Sequence, residues 1–133
     1  MKVKIGILDA GMEGLTIFNR LVSNYPYNSI VYVNDMANYP YEGKTPEEIN
    51  NLVNESLSIL LKEEVSVIYV LSNSIIEYCD ELLSKLTIPV VKISDLIVNY
   101  VNKKYEYKNI ALLAKLYILK ASTIYQKNFR YNH

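Results

Sequence analysis

Short apolar runs and longer amphipathic stretches alternate along most of this 133-residue chain. The runs are Val3–Leu8 (VKIGIL), Ile30–Val33 (IVYV), Val65–Leu71 (VSVIYVL), Ile88–Val91 (IPVV) and Asn109–Ala114 (NIALLA). Short continuous apolar runs of this kind suit strands buried on both faces. Pro89 stands at the start of its run, where a strand tolerates a missing N–H. Between the first two runs, Leu15, Ile17, Phe18, Leu21 and Val22 recur at helical spacing until Asn24, Pro26 and Asn28 break the pattern. Ahead of the third run, Ile49, Leu52, Val53, Leu57, Leu60 and Leu61 form one stripe of a second helix. Its start is well marked: Thr45 can cap it, Pro46 fits its first turn, and Glu48 completes a capping box. Ser74–Leu86, Asp95–Lys104 and Leu116–Phe129 read as further helices. The order is β-α repeated about five times, which predicts an α/β fold with a parallel sheet covered by helices on both faces.

Composition narrows this picture. Half of the residues are hydrophobic, enough for one ordinary globular core. Fourteen basic and fourteen acidic side chains leave a formal net charge of zero. That balance gives no sign of a nucleic-acid or membrane-surface partner. The cluster Lys103-Lys104 to Lys108 is interrupted by Tyr105, Glu106 and Tyr107 and reads as a solvated helix end. A single cysteine, Cys79, excludes an internal disulfide and suits a reducing compartment. Met1–Ile5 lacks the apolar core of a secretory signal, and no apolar run reaches the roughly 18 residues that span a bilayer. The expected location is therefore cytoplasmic. Thirteen tyrosines beside two phenylalanines and no tryptophan are an unusual set, read here as compositional bias.

The chemistry gathers in three short loops: Asp9-Ala10-Gly11, Pro40-Tyr41, and Ser72-Asn73-Ser74. Each comes after a predicted strand, so all three belong at the carboxyl edge of one sheet, where open parallel sheets bind ligands. Asp9 can accept hydrogen bonds or orient an ammonium group. The glycines behind it allow close backbone approach to a ligand, with a helix N-terminus behind them that favours an anion. Gly6 to Gly14 is not a dinucleotide fingerprint, because Asp9 and Glu13 occupy the places where a pyrophosphate needs open backbone. Asn73 offers an amide, and Ser72 and Ser74 offer hydroxyls, beside a helix N-terminus that suits an α-carboxylate. On the residues alone, Asn73-Ser74 reads equally well as a helix cap.

Together these segments resemble the glutamate racemases of the Asp/Glu racemase superfamily. Ile5–Thr16 (IGILDAGMEGLT) is similar to that family's opening strand, Asp-Ser-Gly and Gly-Gly-Leu-Thr. Val31-Tyr32-Val33-Asn34-Asp35 with Pro40–Ile49 looks like its Asp-to-Pro-Tyr-Gly loop and the helix after it. Leu71–Ser74 falls on its Ala-Cys-Asn-Thr motif, Ile88–Val91 on its Ile-Pro-Val strand, and Ile110–Tyr125 on the first strand and helix of its second half. The resemblance implies one racemase-like lobe over residues 1–104 and, over 105–133, a β-α unit like the start of the family's second lobe. It implies inversion of the α-carbon of glutamate, from L to D for peptidoglycan precursors, with no cofactor and no metal. Two cysteines on opposite faces of the substrate do this: one thiolate removes the α-proton while the other thiol returns one.

By the same resemblance Asp9 and Ser72 hold the catalytic positions, and Ala10, Pro40, Tyr41, Glu42, Asn73 and Ser74 the substrate-binding ones. Several of them depart from the family. Ser72 stands at the first cysteine. A thiol titrates near ~8.5, whereas a serine hydroxyl is several units weaker. Ala10 replaces a serine, Glu42 the glycine of Pro-Tyr-Gly, and Asn38 an arginine, while Lys115–Ile118 replaces a Thr/Gly-rich loop. The second cysteine would fall in a part of the family's chain that these residues do not reach. Cys79 is seven residues beyond Ser72 and reads as a small buried hydrophobe. His133 reads as a frayed terminus. The expectation is a truncated, catalytically silent relative. The alternatives are a homodimeric module for binding a small ligand (an amino acid or carboxylate) or for interaction, or an active cofactor-independent racemase completed by a partner chain.

Overall fold

The computed structural model describes residues 3–113 apart from Tyr27, Tyr107 and Leu112. Four strands, β1 (Lys4–Asp9), β2 (Ser29–Asn34), β3 (Val67–Val70) and β4 (Val90–Lys92), form one sheet in the order β2-β1-β3-β4. Every pairing is parallel. Helices α1 (Leu15–Asn24), α2 (Pro46–Lys62), α3 (Asn73–Ser84) and α4 (Ile93–Lys104) follow the strands in turn. The chain steps outward from β1 to β2 and then crosses back past β1 to β3. The switch point of the sheet therefore lies between β1 and β3, where open α/β sheets place their ligands.

The alternation of side chains along each strand divides the core in two. Gly6, Leu8 and Ala10 face one side and Ile5, Ile7 and Asp9 the other. On the first side Leu8, Ile68 and Val70 pack against Ile49, Val53, Leu57 and Leu60 of α2 and against Ile75, Ile76, Cys79 and Leu83 of α3. On the second side Ile5, Ile7 and Leu71 meet Ile17, Phe18 and Leu21 of α1. The two sides are not covered equally. α2 and α3 together bury ten residues, whereas α1 buries none. α4 buries Ser94 and Val98 but leaves Leu96, Ile97 and Tyr100 exposed. No helix among the described residues is long and apolar enough to cross a membrane.

The expected capping box forms in full. Thr45 Oγ1 accepts from Glu48 N at 3.2 Å, and Glu48 Oε2 accepts from Thr45 N at 2.7 Å. Other boundaries moved. β3 begins at Val67 rather than Val65, and α4 begins at Ile93 rather than Asp95 because the chain turns directly from β4 into helix. α3 begins at Asn73, one residue earlier than predicted, because Ser72 rather than Asn73 or Ser74 takes the capping place. Of the strand expected over Asn109–Ala114, residues 109–111 and 113 are not in a strand. The rest of the expected β-α unit, with Lys115–Ile118 and His133, lies outside the described residues.

Candidate functional site

The three loops do meet at the carboxyl edge of the sheet. The β1–β2 register sets Asp9 beside Asn34, and Asp35 N donates to Asp9 O at 3.1 Å. Leu71 N donates to Leu8 O at 3.0 Å, which carries the third loop alongside the first. Two glycines make the close contacts. A Cβ on Gly11 would lie 3.5 Å from the Tyr39 ring, and one on Gly14 would lie 3.0 Å from Leu71 Cδ1.

Asp9 is the centre of the first loop, and its side chain is turned inward, only 1 % exposed. Ala10 N donates to its Oδ1 at 2.9 Å; Gly14 N and the Tyr32 hydroxyl donate to its Oδ2 at 3.0 and 2.8 Å. A buried carboxylate needs such donors, and Gly14 caps α1, whose N-terminus favours negative charge. A Cβ on Gly14 would stand 2.4 Å from Asp9 Oδ2, so any larger residue there would have to displace the carboxylate. The anion held at this helix terminus is the chain's own. The Tyr32 phenol, desolvated and donating to a carboxylate, is pushed well above its ordinary pKa.

Asn34 closes the same loop from β2. Its Oδ1 accepts from Gly11 N at 3.1 Å, and its Nδ2 donates to Gly11 O at 2.5 Å and to Tyr32 Oη at 3.3 Å. The N–H groups of Ala10, Gly11 and Gly14 are thus all engaged within the chain. Asp9 and these glycines, expected to meet a ligand, instead bond to one another and to β2.

In the second loop Pro40 follows a cis peptide and is exposed, whereas Tyr41 is 3 % exposed and packs in the α2–α3 core. The Tyr41 hydroxyl donates to Asp35 Oδ2 at 2.9 Å, and Asn38 Nδ2 donates to Asp35 Oδ1 at 2.6 Å. Burial, and then the bond to Asp35, push the Tyr41 phenol far above its usual range. Glu42 is exposed in a turn closed by Lys44 N on Tyr41 O at 3.1 Å, with Gly43 at φ +86°.

The third loop is a helix start. Ser72 is 6 % exposed, and its Oγ accepts from Ile75 N at 3.4 Å. Asn73 and Ser74 are the first two residues of α3; Asn73 is half-buried and Ser74 buried. Cys79 lies in the core as expected, and burial pushes its thiol up to about 12.

No family model matches the chain. It is 30 % identical over 113 residues to the glutamate racemase of Fusobacterium nucleatum, covering 84 % of this chain and 43 % of that one. With the glutamate racemase of Hydrogenobaculum it shares 31 % over 112 residues, with the same two coverages. Its structure matches that of glutamate racemase from Aquifex pyrophilus with a TM-score of 0.82, at 28 % identity, over 95 % of this chain and 50 % of that one. The chain is glutamate racemase-like. The Campylobacter jejuni glutamate racemase structure matches comparably, with a TM-score of 0.79 and 26 % identity over 95 % of this chain and 52 % of that one. The racemase-like chain spans about half the length of these relatives.

The likeness explains why the three loops share one edge, and it leaves the content of this site to the chain's own residues. Two of them were missed by sequence reasoning. Tyr32 entered as part of the strand run Ile30–Val33, and Asn34 as part of the segment resembling the family's Asp-to-Pro-Tyr-Gly loop. Their signal was there: residues two apart on a strand share a face, and Tyr32 and Asn34 lie on the face of Asp9.

Proposed function

We propose that this chain keeps the loop framework of a glutamate racemase lobe but does not, by itself, remove a proton from an amino-acid α-carbon. The observation that carries this reading is the state of Ser72. It holds the position of the family's first thiol, is 94 % buried by difference from its 6 % exposure, and its hydroxyl accepts from Ile75 N as the cap of α3. A serine hydroxyl is several pK units weaker than a thiol, at about 1.4 kcal/mol per unit, and burial disfavours its anion further. The remaining thiol cannot stand in: Cys79 is buried two turns along α3 with its pKa raised. Asp9, the other catalytic candidate, is occupied by three donors of its own chain. The family's substrate, glutamate, remains the ligand class that the three loops best match.

The uneven covering of the sheet supports a second reading, an interaction module. α1 buries none of its residues, and α4 exposes Leu96, Ile97 and Tyr100. A second copy or a partner lobe would cover such apolar surface. Incubation with D- and L-glutamate in D2O tests the first reading, since a working base would exchange the α-proton. Light scattering across a concentration series tests the second, which requires a dimer at micromolar concentration.

A further inference from the structure

We infer that Asn34 is an internal stand-in for an amino-acid ligand: its carboxamide makes the hydrogen bonds that an ammonium–carboxylate pair would otherwise make to Gly11. This rests on the reading of the three loops as an amino-acid cradle and names what now fills part of it. Gly11 presents both halves of its peptide backbone to Asn34, an N–H that needs an acceptor and a C=O that needs a donor. Asn34 supplies Oδ1 to the first at 3.1 Å and Nδ2 to the second at 2.5 Å, so the orientation of the amide is determined by its partners. A simple carboxylate would satisfy only the N–H and would set its second oxygen against the Gly11 carbonyl. An α-amino acid offers one acceptor and one donor a short distance apart, the same complement that the carboxamide offers.

The surroundings favour the donor half as well. Asn34 Nδ2 also donates to Tyr32 Oη at 3.3 Å, and that hydroxyl donates onward to Asp9 Oδ2 at 2.8 Å. A cation at the place of Nδ2 would therefore sit one hydroxyl away from a buried carboxylate. The Tyr39 ring lies beside Gly11 from the second loop, close enough that a Cβ there would be 3.5 Å from it. Register leaves Asn34 little freedom, because it is paired directly with Asp9 at the last position of β2. An intramolecular group held in this way competes with any ligand at an effective concentration that a free amino acid rarely matches.

The test is amide NMR of Gly11 in the 133-residue chain, with L-glutamate and glutarate as probes. Glutarate keeps both carboxylates and lacks the ammonium group. In the unaltered chain the Gly11 amide should be protected and should not respond to millimolar L-glutamate. Asn34→Ala should accelerate its exchange roughly 5- to 10-fold, the effect of losing one net hydrogen bond. In that variant L-glutamate should shift the Gly11 resonance saturably, and glutarate should not. Asn34→Asp keeps the acceptor but not the donor, and should leave Gly11 unresponsive to both probes. An equal response to glutarate, or no response to either probe in a folded Asn34→Ala chain, overturns the inference. Should Asn34→Ala not fold, a saturable shift of Gly11 in the unaltered chain with L-glutamate overturns it equally. The reading of the loops as a base-less racemase lobe fails by a different observation, α-proton exchange, so the two failures are told apart.

Discussion

Replacing Gly14 with alanine probes how firmly the Asp9 carboxylate is fixed. The new Cβ would lie 2.4 Å from Asp9 Oδ2, 2.9 Å from Asp9 Cγ and 3.0 Å from Leu71 Cδ1. The two distances to Asp9 are closer than real Cβ contacts, so the carboxylate has to move. Moving it breaks the bonds that Oδ2 accepts from Gly14 N and Tyr32 Oη. Hydrogen bonds to a charged group contribute about 1.5–3 kcal/mol each, so the loss is about 3–6 kcal/mol. Backbone strain adds nothing, because Gly14 has φ −74° and ψ −15°, which alanine adopts freely. Stiffening of the unfolded chain returns about 0.4–1 kcal/mol. The expected net destabilisation is about 2–6 kcal/mol, a large part of the about 5–15 kcal/mol that holds a domain of ordinary stability together. Urea unfolding followed by circular dichroism would read it as a lowered midpoint at unchanged slope. Asp9→Ala supplies the second side of a double-mutant cycle, and the clash should largely disappear in that background, so that most of the single-variant loss of about 2–6 kcal/mol appears as coupling energy. A Gly14→Ala chain as stable as the parent would refute the fixed carboxylate, and strictly additive losses would refute the contact.

Other expectations follow from the same geometry. The Tyr32 and Tyr41 phenols are raised by burial and by donating to Asp9 and Asp35. The folded state therefore keeps protons that the unfolded state loses, so stability holds below about pH 10 and declines as pH rises above it; Tyr41→Phe should flatten that alkaline decline in melts taken between neutral and strongly alkaline pH. Thr45→Ala removes the cap of α2 and should cost about 0.5–2 kcal/mol in urea unfolding, while Thr45→Ser should restore most of it. Ser72→Ala should cost only about 0.5–1 kcal/mol, since the bond it removes is a long 3.4 Å. A much larger loss would reveal a role for that hydroxyl beyond capping α3.

The framework of the fold was legible because its signals are local. Apolar runs marked β1 to β4, and the Thr45-Pro46-Glu47-Glu48 start marked α2 to the residue. The meeting of the three loops was legible too, since a parallel sheet brings the ends of its strands to one edge. What could not be read was the direction of the polar side chains there. Asp9 resembles a ligand-facing acid in sequence; its inward turn depends on Gly14 and Tyr32, which reach it only through the turn into α1 and the β1–β2 register. Tyr41 looked like a pocket residue for the same reason, and its burial beside Cys79 and Ile75 is set by α2 and α3 closing over it. Ser72 was recognised as a weak base from its type alone, whereas its role as the cap of α3 required the helix boundary.

The central claim is that Ser72 marks a lost base, and α-proton exchange tests it most directly. Purified chain, incubated with D- and L-glutamate in D2O and followed by proton NMR, should leave the α-proton signal of both enantiomers unchanged beyond the buffer control. Loss of that signal from either enantiomer, abolished by Ser72→Ala in a chain that remains folded, would contradict the account.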